Sequence, residues 1–273
     1  MIQRIWTLTV YLLGRLLGSL SGVFFLAGAV AFYGFAFRTR TPEPDYFILV
    51  IMLFGGAWTF FSTLSIATRA NESKSAPFFV RLETRIEYLV AVLSAALIFS
   101  FSLQLMMAIV VALVNDPVLT FARFIEIPPI WISTNIVMSL LALHSTDFVA
   151  RGWSRVWLFG GIAILLMLGD YYAWFVELIA EMLRELARAS SNSNTVGQLY
   201  GAANWLGSLN NSWAEYASRL VRWPVEAIIE AVMQGYFTIG QAFAPAVLLI
   251  YATVLFLIAS DLFARKDLFL IEE

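Results

Sequence analysis

No cysteine occurs in the 273 residues of this chain. Disulfides, thiolate metal sites and cysteine nucleophiles are therefore excluded. The single histidine, His144, rules out a bis-histidine haem, an HExxH zinc site and any other multi-histidine metal centre. Lys74 and Lys266 are the only lysines and neither follows a glycine, so a GxxxxGK phosphate loop is missing as well. Charge of any sign is scarce: Asp, Glu, Lys and Arg make up 13% of the chain, against about 25% in a soluble domain. The net charge of −2 offers none of the basic excess that a nucleic-acid partner requires.

What is present is apolar. Hydrophobic residues make up 60% of the chain, and the mean hydropathy is +0.80. Charge-free runs extend over Leu16–Phe37, Tyr46–Thr68, Tyr88–Asn115, Ile127–Thr146, Val156–Gly169 and Ala231–Ser260. A helix needs about 20 apolar residues to cross the hydrocarbon. Five runs meet that length. The remaining one continues past Asp170 through Tyr171, Tyr172 and Trp174 to Val176, aromatic residues of the kind found at the membrane interface. The expected fold is all-α, a polytopic integral membrane protein forming one transmembrane domain over residues 1–273. Its six spans fall at about 16–37, 46–68, 88–115, 127–146, 156–176 and 236–260.

Two further segments are amphipathic. In residues 1–15, Gln3, Arg4, Thr7, Tyr11, Gly14 and Arg15 make a narrow polar stripe, which fits an interfacial helix at the membrane surface; the alternative is an extension of span one. Residues 177–230, between spans five and six, read as amphipathic outer helices. There Glu181–Arg184 and Glu185–Arg188 pair at i,i+3, and Trp205, Trp213 and Trp223 point to a layer against the lipid surface.

Lys and Arg distribution sets orientation. With the N-terminus in the cytoplasm, the inner short loops and ends carry Arg4, Arg15, Arg69, Lys74, Arg81, Arg85, Arg151, Arg155, Arg265 and Lys266, and the outer short loops only Arg38, Arg40 and Arg123. Both termini and the link after span two are then cytoplasmic, in a cytoplasmic (inner) membrane, and no cleavable signal peptide is evident.

Few constellations carry chemistry. His144 stands one helical turn from Asp147, a spacing open to a proton relay or to a histidine bonded to a neighbour at a span end. Glu177 and Glu181 fit a solvated face better than an acid/base couple. Gly14, Gly18 and Gly22 form a GxxxGxxxG ladder suited to close helix approach, within the chain or at a subunit contact. Pro128, Pro129 and Pro245 read as helix starts or kinks. The spans lack charge, which favours lipidic, amphiphilic or bulky cargo over ions.

The link between spans two and three stands out. Thr68 to Leu89 holds seven of the chain's 36 charged residues. A helix–helix turn needs about 2–8 residues, yet here a polar run is followed by Pro77, then Phe78 and Phe79 among mixed charges. Apolar anchors inside a polar rim describe a docking surface; the alternative is that both phenylalanines dip into the membrane surface.

Glu72, Ala76, Phe78–Phe79 and the run Arg85 to Val90 match a pattern in the equivalent link of another family. So does the C-terminal Asp261 to Phe269. On these motifs the chain resembles permeases of the type-2 ABC exporter class, although Ser73-Lys74-Ser75-Ala76 replaces the usual Gly-Thr. The resemblance implies a six-span subunit without cofactor or catalytic residues of its own. It further implies a separate ABC ATPase (nucleotide-binding) subunit and a second permease subunit, forming a homo- or heterodimer. Docking of the ATPase would fall on Glu72, Ala76, Pro77, Phe78, Phe79, Arg81, Glu83 and Arg85. From a different class, a cofactor-free structural or assembly subunit of a larger membrane complex also fits the composition.

Because the chain lacks cysteine, its topology is testable with single introduced thiols. An impermeant thiol reagent applied to intact cells should label Ser193→Cys and spare Ser75→Cys. The opposite pattern inverts the orientation.

Overall fold

A backbone in hydrocarbon finds hydrogen-bond partners only in itself, so a chain this apolar folds as helices. The computed structural model describes residues 1–38, 41–71, 84–149, 156, 159–162, 177–189, 193–208 and 213–265, and every regular element among them is helical. The helices are α1 (Ile2–Leu17), α2 (Leu20–Ala36), α3 (Pro44–Ala70), α4 (Arg85–Asn115) and α5 (Phe121–His144). They continue with α6 (177–189), α7 (Ser193–Ser208), α8 (Trp213–Gln234) and, after a 3-10 turn at Gln241–Phe243, α9 (Ala244–Arg265). Four are long and apolar enough to cross a membrane: α3, α4, α5 and the run Gln241–Arg265; α1 and α2 make a fifth if that bent pair is one span. The chain is an integral, multi-pass membrane protein.

Expected spans two, three and six coincide with α3, α4 and the Gln241–Arg265 run. Most of the 156–176 interval lies outside the described residues. Span one differs. The apolar run from Leu16 is not one helix, because α1 stops at Leu17 and α2 leaves at 72° to it. Ser19 builds this corner: its hydroxyl donates to the Leu16 carbonyl at 2.6 Å and accepts from the Gly22 amide at 3.4 Å, a serine N-cap in extended conformation. A straight continuation of span one into residues 1–15 is thereby excluded. The ladder Gly14, Gly18 and Gly22 is split by the same corner and shares no single helix face. Gly22 is needed locally, since a Cβ there would sit 2.4 Å from the Leu16 carbonyl oxygen, whereas Gly14 faces open space.

Span four also departs from its expected start. Helix α5 begins at Phe121 rather than Ile127, so Arg123 and Glu126 lie inside it, paired at 2.9 Å. Thr120 caps the first turn by accepting from the Arg123 amide. Pro128 and Pro129 are therefore interior to α5, not at its start. Lacking N–H groups, they leave the carbonyls of Phe124 and Ile125 without their usual i+4 donors. Pro245 does sit in the first turn of α9.

The chain divides into two compact units, residues 1–155 with 225–273, and residues 156–224. In the first, α3 packs on both α4 and α5, α9 on α5, and α1 on α4. Leu8, Leu12 and Leu16 of α1 are buried in a core shared with Leu89, Val92 and Ala96 of α4. In the second unit, α6 carries the expected ion pairs: Arg184 meets Glu181 at 3.0 Å and Glu177 at 3.4 Å, and Arg188 meets Glu185. Ala180 and Ala187 are buried on one side of α6 while Leu178, Met182 and Leu186 are exposed.

The corner gives a direct test. Gly22→Ala should destabilise the protein by about 1–3 kcal/mol, the usual cost of overpacking, because the added methyl meets backbone. Gly14→Ala should be neutral or slightly stabilising. Thermal unfolding in detergent distinguishes the two, and equal melting temperatures would refute the corner's role.

Candidate functional site

The link singled out by sequence joins α3 to α4. Glu72, Ala76, Pro77, Phe78, Phe79, Arg81 and Glu83 lie outside the described residues, so the site is built from what flanks them. Ala70 closes α3, and its carbonyl accepts a hydrogen bond from the Tyr88 hydroxyl at 3.3 Å, tying the first turn of α4 to the last turn of α3. One residue earlier on α4, Glu87 is only 3% exposed and pairs with Arg4 of α1, Nε to Oε2 at 3.3 Å and Nη2 to Oε1 at 3.4 Å. Thr9, two turns along α1, donates to the Ile5 carbonyl and reaches the Ala91 carbonyl of α4 at 3.5 Å.

Arginines fasten the remaining helix ends. Arg69 donates from Nη1 to the Arg15 carbonyl at 3.2 Å and from Nη2 to the Ser21 hydroxyl. Arg85, one of the residues expected at the docking rim, donates to the Ala264 carbonyl at the end of α9, 3.2 Å away. Both target carbonyls belong to a last helical turn, where no intrahelical donor follows and the helix dipole favours a cation. Aromatic rings pack beside them: Phe148 lies 5.7 Å from Tyr88 and 4.6 Å from Phe263, centroid to centroid. The flanks of the link are thus one fastened group comprising the ends of α1, α3, α4 and α9.

Sequence reasoning missed this group's ion pair. Arg4 and Glu87 are 83 positions apart, and although Glu87 falls in the quoted run Arg85 to Val90, nothing in that run points to Arg4. The expected spans at 88–115 and 127–146 carry no charge, but just before them Glu87 and Arg123 are both buried, each in the first turn of its helix and each paired. Arg123 also donates from Nη2 to the Val232 carbonyl of α8 at 2.6 Å.

Deeper in the bundle a polar seam joins α3, α4 and α5. Gln104 Nε2 donates to the Ile51 carbonyl at 3.0 Å, and Asn135 Nδ2 donates to Gln104 Oε1 at 2.6 Å. Gly55 makes room for this amide, since a Cβ there would stand 2.2 Å from the Gln104 carboxamide. Trp131, one turn before Asn135, donates to the Ile48 carbonyl; Ser139, one turn after, exchanges a 3.0 Å hydrogen bond with Thr63. His144 ends α5 and contacts the Leu255 carbonyl of α9 through Nε2 at 3.0 Å. Asp147 lies beyond the helix end, so the two do not share a helical face. Among the described residues, no three His, Asp or Glu side chains converge as a metal site.

The Arg4–Glu87 pair should matter unequally to its partners. Arg4→Ala strands a buried carboxylate and should cost about 2 kcal/mol, less than a fully buried pair because Arg4 is 39% exposed. Glu87→Gln should cost less, since Arg4 can turn outward. Chemical denaturation in detergent of both variants and their double mutant measures the coupling; additive losses would show that the pair holds nothing. Compared with family models, with curated proteins and with solved structures, the chain matches none.

Proposed function

We propose that this chain is the transmembrane permease subunit of an ATP-driven ABC-type exporter, working with a separate nucleotide-binding subunit and a second permease subunit. One observation supports the reading most: the helix ends on either side of the link are fastened into a single group, through Tyr88–Ala70, Arg4–Glu87, Arg69–Arg15 and Arg85–Ala264. A partner that pushes on a link between loosely held helices would move the link alone. Here a push is passed to α1, α3, α4 and α9 together. Phe78 and Phe79 supply apolar anchors for that partner, and Glu72, Arg81 and Glu83 a charged rim that sets its orientation.

In this reading the six spans are α2, α3, α4, α5, the 156–176 interval and the Gln241–Arg265 run. Helix α1 lies in the cytoplasmic interface, consistent with its 72° angle to α2. The Lys and Arg asymmetry puts the fastened end in the cytoplasm, where an ATPase is found, and residues 177–230 outside. The uncharged interiors of the spans favour lipidic, amphiphilic or bulky cargo over ions.

Affinity purification in mild detergent tests the assignment. An ATPase subunit should accompany the chain, and Phe78→Ala with Phe79→Ala should release it or uncouple hydrolysis from transport, because truncating buried anchors costs more than about 2 kcal/mol. Glu83→Gln alone should do little. Retention of the partner with full coupled activity in the double variant would dismiss the docking role, and co-purification of redox subunits instead would favour an assembly subunit of a larger complex.

A further inference from the structure

A crevice of about 370 Å³ runs between α4 and α5 and is open along one side. Phe47, Ile127 and Trp131 form its buried floor, and Leu105 and Ile109 of α4 and Phe124 of α5 are its exposed rims. Sequence explains why the two helices leave this gap. On α4 the lining includes the small residues Ala108 and Ala112, and on α5 it includes Pro128, in the double-proline stretch where α5 loses two backbone hydrogen bonds.

We propose that this crevice binds one acyl chain of a membrane phospholipid, taken sideways from the leaflet that surrounds the α4–α5 loop, with the methyl end inward. Length argues for a chain. The crevice extends along α4 from Ala112 to Phe101, which at 1.5 Å per residue is about 16 Å. That is half of a hydrocarbon core about 30 Å thick, the depth of one leaflet. Chemistry fixes the direction. Near the deep end, just short of Phe101, lies Gln104, whose amide nitrogen bonds Ile51 and whose oxygen accepts from Asn135. This amide is already engaged, so a polar tip arriving there gains little, while a terminal methyl loses nothing. At the opposite end stand Asp116, Thr120 and the Arg123–Glu126 pair, polar groups at the level of lipid headgroups. The exposed rims select a bilayer lipid over a ligand from water, because a chain enters between them without leaving the membrane. Helix α2 offers a contrast: its exposed Val23, Phe24 and Val30 lie along one helix and are not among the residues lining this crevice.

Photo-crosslinking distinguishes a site from ordinary lipid contact. The full chain, with whatever subunits co-purify, is placed in phosphatidylcholine nanodiscs. These are doped with phosphatidylcholine carrying a diazirine either at the chain terminus or beside the ester. Terminal diazirine should label Phe101, Gln104 and Leu105, and the ester-proximal probe Ala112 and Phe124, each several-fold above labelling of α2. Ala108→Phe fills the crevice and should lower both signals several-fold while α2 labelling stays constant; Ala112→Leu, a milder filling, should act in the same direction if the first variant folds poorly. The register between the two probes needs no variant at all. Labelling no stronger than on α2, or the same residues labelled by both probes, overturns the proposal. Suppression of crevice labelling by free fatty acid added before irradiation, but not by equal added phospholipid, would also overturn it by assigning the site to a fatty-acid-like molecule.

Discussion

A donor buried in hydrocarbon has no water to fall back on, and in an all-helical bundle nearly every acceptor within reach is a helix carbonyl. That constraint organises the molecule. At the helix ends, Arg69, Arg85 and Arg123 reach across to the last-turn carbonyls of α1, α9 and α8. In the helix middles, Trp58, Trp131 and Gln104 use the second lone pair of carbonyls already engaged in their own helices, those of Phe25, Ile48 and Ile51. Each such bond joins two helices, so satisfying the side chain and fixing the packing are the same event.

The two kinds of junction do different work. The end junctions of Arg69 and Arg85, with Arg4–Glu87 and Tyr88–Ala70, gather four helices around the α3–α4 link into one stiff group, while Arg123 joins α5 to α8. The middle junctions hold α3 between α4 and α5, and Gly55 is the condition for that closeness. Where the middle junctions stop, beyond Gln104, α4 and α5 part around Ala108, Ala112 and Pro128. Tight seam and open crevice are neighbouring outcomes of where the polar side chains fall.

Much of this fold was legible because lipid solvation makes charge a boundary marker. The charge-free runs at Tyr46–Thr68 and Tyr88–Asn115 end within three residues of α3 and α4. The same rule misplaced the start of α5, because counting charges treats each as isolated, whereas Arg123 and Glu126 neutralise one another. It placed the corner before α2 about three residues early, at the charge of Arg15: a uniformly apolar run carries no period to interrupt, and Ser19 was the local sign. The group around the link was hidden for another reason. Arg4 and Glu87, and likewise Arg85 and Ala264, are far apart in the chain and meet only through tertiary packing.

The distance between Arg4 and Glu87 along the chain bears on how the protein is made. Helix α1 emerges first, yet the carboxylate it pairs with and the α4 surface that covers Leu8 and Leu12 come 83 residues later. At ordinary synthesis rates that is a delay of roughly 4–17 s. Through that interval Ser19, joined later by Arg69 of α3, is what holds α1 at its angle to α2. A cap at residue 19 therefore acts as a place-holder in time, keeping α1 angled from α2 before its partner on α4 exists.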